Sequence, residues 1–418
     1  MVDMDASLFL TGVFALGLLA HVGLRLWLNV RQVRQVVRHR HQVPVDYAAT
    51  VSLADHQRAA DYTLAKARVA QWDLLWEATL LLGWTLMGGL QALNAWLLGW
   101  MAPGLGEQLA LVVVFMGVSG LLGLPFSLYQ TFVIEQRFGF NRMSWGLWLT
   151  DALKGLVLGA LLGLPLLAVV LWLMQAGGSL WWLWAWALLA FWQLLLMAIA
   201  PNFIMPLFNR FEPLQDEALK SRVQALMQAA GFRARGFFVM DGSRRSAHSN
   251  AFFTGLGKSK RVVFFDTLLA QLSTDEMEAV LAHELGHFKH RHIPKMLLSG
   301  WGLSLLGLAL LGYLSQQVWF YTGLGVFPAG PSEGLALILF MTVVPVFGLL
   351  VAPLSSWRSR QQEFEADAYA CALRPSAHLR AALLKLYQDN ASTLTPDPWY
   401  VRFYYSHPPA SERLARMA

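Results

Sequence analysis

The sequence has few charged residues and a single cysteine, and each shortage excludes certain classes of protein. Charged residues make up 14% of the 418 residues, against about 25% in soluble proteins, which excludes an ordinary soluble domain. Cys371 is the only cysteine, so the chain can form neither an internal disulfide nor a cysteine-based zinc cluster. Low-complexity segments, solenoid-type repeats and basic-aromatic RNA-binding motifs are missing as well. We therefore expect no nucleic-acid partner.

Apolar sequence is abundant. Hydrophobic residues make up 56% of the chain, and the mean hydropathy is +0.44. A membrane-spanning helix needs roughly 20 mostly apolar residues, and seven stretches qualify as candidates: 7–29, 72–100, 107–132, 149–174, 180–207, 296–315 and 334–355. The first stretch follows the acidic start MVDMDA, which predicts a retained helix and not a cleaved signal peptide.

The placement of lysine and arginine predicts the orientation of these helices. Neither residue occurs in 1–8, 101–106, 175–179 or 316–333, whereas the alternate connections 31–40, 135–142 and 208–295 are basic. Basic loops stay on the cytoplasmic side, so the N-terminus should lie outside and the C-terminus in the cytoplasm. The net charge of +6 reflects this bias.

Two polar segments remain for a cytoplasmic domain. In the first we predict a helix over 217–232, strands over 234–241, 250–257 and 261–268, and a helix from about 274 through His287 that begins at a Ser273–Glu276 capping box. The expected division is 1–207 (five membrane helices), 208–295 (first polar segment), 296–355 (membrane helices six and seven) and 356–418 (second polar segment). Neither polar segment forms a large core alone, so we expect them to pack together.

The stretch HELGH (283–287) carries the chemistry. His283 and His287 lie one helical turn apart on one face and can bind a single Zn²⁺, while Glu284 can reach a metal-bound water. A solvated helix face is the plainer interpretation, because KHRH follows directly. A catalytic zinc site needs a third protein ligand and leaves one position for water.

Residues 359–370, SRQQEFEADAYA, offer that third ligand. Spacing alone leaves Glu363 and Glu365 both open, and an ordinary charged amphipathic turn is the alternative. If Glu363 is the ligand, Asp367 one turn later can accept a hydrogen bond from a ligand histidine and fix its tautomer.

Several motifs resemble those of the type 1 CAAX prenyl endopeptidases, a family of integral-membrane zinc metalloproteases. The three signatures are HELGHFKHRH, SRQQEFEADAYA and FYYSHPPASERL (403–414). Further matches are spread along nearly the whole chain, at 56–68, 129–144, 201–214 and 248–266.

This resemblance implies a fold and roles for the site residues. The fold is mainly α-helical, with seven membrane helices around a water-filled chamber and a small α+β, zincin-like catalytic domain at its cytoplasmic end. The resemblance makes Glu363 the third zinc ligand and Asp367 its supporting partner, which leaves Glu365 as a solvated residue. It places Asn250 on an edge strand that holds the substrate backbone, and it makes His407 and Arg413 contacts to the substrate or its oxyanion.

We therefore predict a membrane endopeptidase with one Zn²⁺ per chain. Its partners would be membrane lipids and a peptide or membrane-protein substrate, lipid-anchored or membrane-embedded. Alternatives are a heat-shock-type quality-control metalloprotease, an intramembrane site-2-type protease, and a transporter or scaffold with structural zinc, which would normally have a fourth protein ligand. The end LARMA has no dilysine signal, which favours a bacterial inner membrane.

Overall fold

The computed structural model describes residues 2–254, 259–328, 330 and 332–417. Helices dominate this portion of the chain. Those before residue 210 are α1 (Val2–His39), α2 (Leu53–Trp84), α3 (Gly89–Leu98), α4 (Leu105–Tyr129), α5 (Trp145–Ala176), α6 (Trp181–Ile199) and α7 (Met205–Phe208). Those after it are α8 (Glu217–Ala229), α9 (Asp266–Gln271), α10 (Thr274–Lys289), α11 (His292–Leu314), α12 (Val318–Thr322), α13 (Glu333–Gly348), α14 (Ala352–Leu373), α15 (Ser376–Asp389), α16 (Pro398–Tyr404) and α17 (Ala410–Arg416). The strands are β1 (Phe211–Pro213), β2 (Arg233–Met240), β3 (Ala251–Thr254) and β4 (Ser259–Phe265).

Within the described residues, five helical stretches are long and apolar enough to cross a membrane. They are Met4–His39, Leu105–Glu135, Trp145–Ala176, Gly178–Phe208 and His292–Leu314, and they match five of the seven predicted spans. The predicted span 334–355 falls on α13 and the start of α14, which are bent by 69° and form a sixth candidate only as a pair. The chain therefore has the helices of a multi-pass membrane protein.

The predicted span 72–100 is not one continuous helix. Helix α2 ends at Trp84 and α3 begins at Gly89. Between them Gly88 has a φ of 81°, a left-handed conformation that glycine adopts readily. Gly325 packs against this break so closely that a Cβ there would lie 2.6 Å from the Thr85 carbonyl oxygen. The apolar pattern runs through the break, which is why the sequence did not reveal it.

One apolar core joins the membrane helices. Phe14 of α1, Leu171 of α5 and Leu339 of α13 are fully buried in it. The outer faces of the same helices are apolar too, as Leu156 and Leu161 of α5 show, at 70% and 68% exposed. Large apolar faces of this kind are not stable against water, and a lipid environment accounts for them.

A four-stranded sheet carries the polar domain, with the strand order β1-β2-β4-β3. Strands β2 and β4 are parallel, whereas β1 and β3 pair antiparallel with their neighbours. The three predicted strands are present, although β4 stops at Phe265 because Asp266 begins α9, and residues 255–257 of the second lie outside the described residues. Strand β1 was not predicted, since three residues show no periodicity. Among the described residues β3 pairs only with β4, so it is an edge strand.

Both polar segments contribute to a second core. It contains Leu226 of α8, Phe264 of β4 and Leu285 of α10 from the first segment, and Ala370 of α14 and Ala382 of α15 from the second. All five side chains are at most 1% exposed. This shared core packs α14 directly on α10, and the residues predicted to bind metal come from these two helices.

Candidate active site

Helix α10 positions the two histidines. Its first turn has the predicted capping box, in which the Ser273 hydroxyl accepts a hydrogen bond from the Glu276 N–H and the Glu276 carboxylate accepts one from the Ser273 N–H. The helix continues past both histidines to Lys289. His283 and His287 consequently project from the same face, and their Nε2 atoms lie 3.2 Å apart.

Gly286 of α10 allows the carboxylate of Glu363 to approach the two histidines. A Cβ on Gly286 would lie 2.8 Å from the Ala366 Cα, so α10 and α14 pack closer here than any other residue would permit. Glu363 of α14 is 4% exposed. Its Oε2 lies 3.4 Å from the His283 Nε2, and its Oε1 lies 3.3 Å from the His287 Nε2. Glu365 offers no atom to this group.

The donor set fits a zinc ion. One ligand atom from each of His283, His287 and Glu363 lies within 4.8 Å of the others. Donors bound to one tetrahedral zinc at 2.0–2.1 Å stand about 3.3 Å apart, which is the spacing observed here. The Glu363 Oε2 is also buried without a hydrogen-bond partner, and such an atom normally has a ligand or water to satisfy it.

Asp367 and Arg413 support His283. The Asp367 carboxylate lies 2.8 Å from the His283 Nδ1 and also accepts two hydrogen bonds from the Arg413 guanidinium. Burial alone would lower the pKa of His283, but hydrogen bonds to Asp367 and Glu363 raise the pKa to about 9. The carboxylates around His283 therefore stabilise a positive charge on its ring.

His292 and Glu365 support His287. The Nδ1 atoms of His287 and His292 lie 2.9 Å apart, and the His292 Nε2 lies 2.8 Å from the Glu365 Oε2. If His292 donates to Glu365 through Nε2, its Nδ1 accepts from His287, and the His287 Nε2 keeps its lone pair for a metal. The expectation that Glu365 is simply solvated is therefore wrong. The sequence offered Glu365 only as an alternative third ligand and did not single out His292, because no spacing rule joins 287, 292 and 365.

The remaining predicted residues surround one large cavity. It has a volume of about 1320 Å³, and Glu284, Asn250 and His407 all line it. Burial raises the pKa of the Glu284 carboxyl. His407 lies 3.5 Å from the Glu363 Oε1 with 62% of its side chain exposed. Asn250 directly precedes the edge strand β3, so a chain extended along β3 would begin at the wall of the cavity that holds the metal-binding group.

Comparisons with known proteins agree with this arrangement. A family model described as CAAX prenyl protease N-terminal, five membrane helices, matches residues 32–210, and one described as peptidase family M48 matches residues 213–418. The CAAX prenyl protease 1 homolog of Oryza sativa subsp. japonica is 39% identical over 74% of this chain and 73% of its own length. CAAX prenyl protease 1 of Saccharomyces cerevisiae is 38% identical over 76% and 73%. The crystal structure of S. mikatae Ste24p superposes with a TM-score of 0.92 at 31% identity, covering 98% of this chain and 99% of that one.

Fold and site together define a multi-pass integral membrane metalloendopeptidase. Within that class, the chain belongs to the M48 peptidase family and to its CAAX prenyl protease 1 group.

Proposed function

We propose that the enzyme uses one zinc ion to hydrolyse peptide bonds in prenylated, or otherwise lipid-anchored or membrane-associated, polypeptides. The observation that carries this proposal is the convergence of His283, His287 and Glu363 at the wall of a cavity that Glu284 also lines. The similar proteins named CAAX prenyl protease support the prenylated class. They favour this function over the quality-control, site-2-type and scaffold alternatives.

In this proposal His283, His287 and Glu363 hold the zinc. A zinc ion held there would lower the pKa of a bound water and would polarise the scissile carbonyl. Glu284 accepts the proton of the attacking water and then delivers it to the leaving amine. Asp367 and His292 keep each ligand histidine in the tautomer whose Nε2 faces the site.

The substrate would extend along β3, with Asn250 at its start, and bond main chain to main chain as an added strand. His407, which lies beside Glu363, would donate a hydrogen bond to the developing oxyanion. Arg413 has the same predicted role, and its Nη1 lies 3.7 Å from Glu363. Because Arg413 forms two hydrogen bonds with Asp367, its main contribution to catalysis would be to hold the carboxylates of the site in position.

We further propose seven membrane crossings around a water-filled chamber. The five helices and the bent pair give six, and α2 gives the seventh. Asp73 and Glu77 lower the hydropathy of α2, but both line the large cavity. Charged residues of a membrane helix almost always face such a cavity and not the lipid. The N-terminus would lie outside, and the two catalytic segments, 208–295 and 356–418, in the cytoplasm. Location in a bacterial inner membrane stays a prediction.

A single substitution tests the catalytic proposal. Glu284→Gln keeps the size of the side chain but cannot accept the water's proton. Cleavage of a farnesylated model peptide should fall about 10²–10⁴-fold, while metal analysis finds about one zinc per chain as in the wild type. Glu212→Gln, at an exposed position on β1, is the control and should cleave normally. Near-normal cleavage by the zinc-loaded Glu284→Gln protein would rule out this mechanism and favour the scaffold alternative.

Reporter insertions test the topology. A reporter inserted after residue 104 should behave as external, and one near residue 220 as cytoplasmic, because three proposed crossings separate them. Finding both reporters on one side would contradict the seven-span arrangement.

A further inference from the structure

A second cavity, of about 670 Å³, lies behind the segment that carries His407 and Arg413. That segment, residues 398–416, separates the two cavities. Tyr404, His407 and Arg413 line the large catalytic cavity, whereas Arg402 and Arg416 line the second one. The other walls of the second cavity come from the C-terminal end of α1, the loop after it, α14 and residues 394–396. It is therefore distinct from the active site.

The second cavity has an excess of positive charge. Four arginines line it (Arg38, Arg360, Arg402 and Arg416), together with only two carboxylates, those of Asp46 and Glu412. Within the described residues, none of these four guanidinium groups forms an ion pair with a carboxylate. Other arginines near the end of α1 are paired: Arg31 contacts Asp397 and Arg40 contacts Asp61, each through two hydrogen bonds. Arg34 of α1 also lacks a carboxylate partner but lies outside the cavity, so the cavity is distinguished by the number of such arginines that it brings together.

Arg360 is the most unusual of the four. It is 8% exposed, and its Nη1 donates to the carbonyl oxygens of Val401 and Tyr405, both at 2.9 Å. These acceptors are neutral, and the Glu412 carboxylate acts on Arg360 only from beyond ion-pair distance, so the charge of this buried guanidinium is only partly compensated.

An independent observation concerns the wall of the same cavity. The Thr395 hydroxyl is buried and has no hydrogen-bond partner, although Thr395 lines the cavity. Buried hydroxyl groups almost always have a partner. An acceptor inside the cavity would satisfy this hydroxyl and the Arg360 charge together.

We propose that this cavity is a binding site for an anion that carries a phosphate group. Arginine forks match phosphate oxygens with two parallel hydrogen bonds, and the cavity supplies one buried arginine with three more exposed ones around it. Its volume lies in the range of small-molecule sites and exceeds that of a phosphate alone. The phosphate group could belong to a soluble anion or to the headgroup of an anionic lipid, and the test separates these sources.

Two substitutions on α1 form a matched pair. Arg34 and Arg38 are both exposed and stand one turn apart, but only Arg38 lines the cavity. Neither side chain forms an ion pair within the described residues, so neither substitution should unfold the protein. Arg38→Gln should weaken binding about tenfold, since it removes a charged hydrogen-bond donor, whereas Arg34→Gln should leave it unchanged. Arg402→Gln is a second test on the opposite wall.

The full-length protein is measured in two arms. In the first, inorganic phosphate is titrated onto detergent-solubilised protein against sodium chloride of equal ionic strength, and the melting temperature is followed. In the second, the protein is reconstituted in phosphatidylcholine nanodiscs with or without phosphatidic acid. A saturable, Arg38-dependent rise with phosphate supports a soluble anion, and one with phosphatidic acid alone supports a headgroup. No rise in either arm, or an equal loss in Arg34→Gln and Arg38→Gln, overturns the proposal. Neither arm measures proteolysis, so the result is independent of the proposed catalytic function.

Discussion

The two histidines of the proposed metal-binding group are each held by a hydrogen-bonded partner, but the two partners lie in different surroundings. On one side Asp367 holds the His283 ring, and Asp367 is itself held by Arg413; both are buried, at 4% and 5% exposed. On the other side His292 holds the His287 ring, and its own partner Glu365 has 49% of its side chain exposed. Each pair directs one Nε2 atom toward the site.

Burial decides how much each side contributes. Breaking a buried pair leaves an uncompensated charge and typically costs about 3–5 kcal/mol, while an exposed ion pair contributes about 0–1 kcal/mol. Support of a ligand histidine by either route is typically worth about 10–100-fold in metal affinity. His292 is itself buried, at 3% exposed, but its partner carboxylate is not. We infer that both sides affect zinc affinity, and that the His283 side, where a charge pair is buried, affects folding more strongly.

The largest expected effect is that of Asp367→Asn. The substitution removes the counter-charge of Arg413 and leaves one acceptor oxygen where His283 and Arg413 now share two. The free energy of unfolding should fall by about 3–5 kcal/mol, and zinc affinity should fall about 100-fold. Thermal denaturation and competition with a zinc chelator measure these two quantities.

Asp397→Asn is the matched control for that substitution. Asp397 is equally buried, at 4% exposed, and forms a bidentate pair with Arg31, but it does not contact a ligand histidine. It should destabilise the protein and leave the zinc affinity intact. Equal zinc loss in both variants would show that Asp367 acts only through general stability.

Gly286→Ala should have the next largest effect, because it affects both sides at once. The new methyl group would overlap the backbone of α14 and push Glu363 away from both histidines. We expect a loss of stability of about 1–3 kcal/mol and a clear loss of bound zinc. Gly300→Ala, on α11 with nothing within 4 Å of the added atom, should change neither. Full zinc content in Gly286→Ala would mean that the close contact between α10 and α14 does not set the ligand geometry.

The smallest expected effect is that of His292→Gln. The His287 ring loses its hydrogen-bond partner, so zinc affinity should fall about tenfold. The melting temperature should fall less than in Asp367→Asn, because His292 is buried, at 3% exposed, but its partner Glu365 is exposed. The control His290→Gln removes a neighbouring imidazole that does not contact His287 and should bind zinc normally. A drop in stability as large as that of Asp367→Asn would abolish the distinction between the two sides.

The sequence predicted one half of the site better than the other. His283, Glu284 and His287 follow from helical spacing and a capping box, which are local features. Glu363 and Asp367 needed the family resemblance, because nothing local distinguishes Glu363 from Glu365. His292 was missed, since its role depends on how α10, α11 and α14 meet in space.

The same limit applies to the fold. Five membrane helices could be predicted because a run of about 20 apolar residues can be recognised from the local sequence alone. The break at Gly88 could not, because Gly325, more than 200 residues later, packs against it. Strand β1 could not be predicted either. Its three residues show no periodicity, and it is a strand only because it pairs with β2.

The contact between Arg413 and Asp367 can form only late in synthesis, because Arg413 lies far along the chain from the two histidines. The two histidines leave the ribosome first, Glu363 follows, and Arg413 comes 126 residues after His287. At about 5–20 residues per second, this interval lasts roughly 6–25 seconds. During this interval Asp367 lacks its buried partner Arg413. The nascent chain then contains the two histidines, but the site around His283 is incomplete. We therefore expect the His283 side to be completed only after all three proposed zinc ligands have been synthesised.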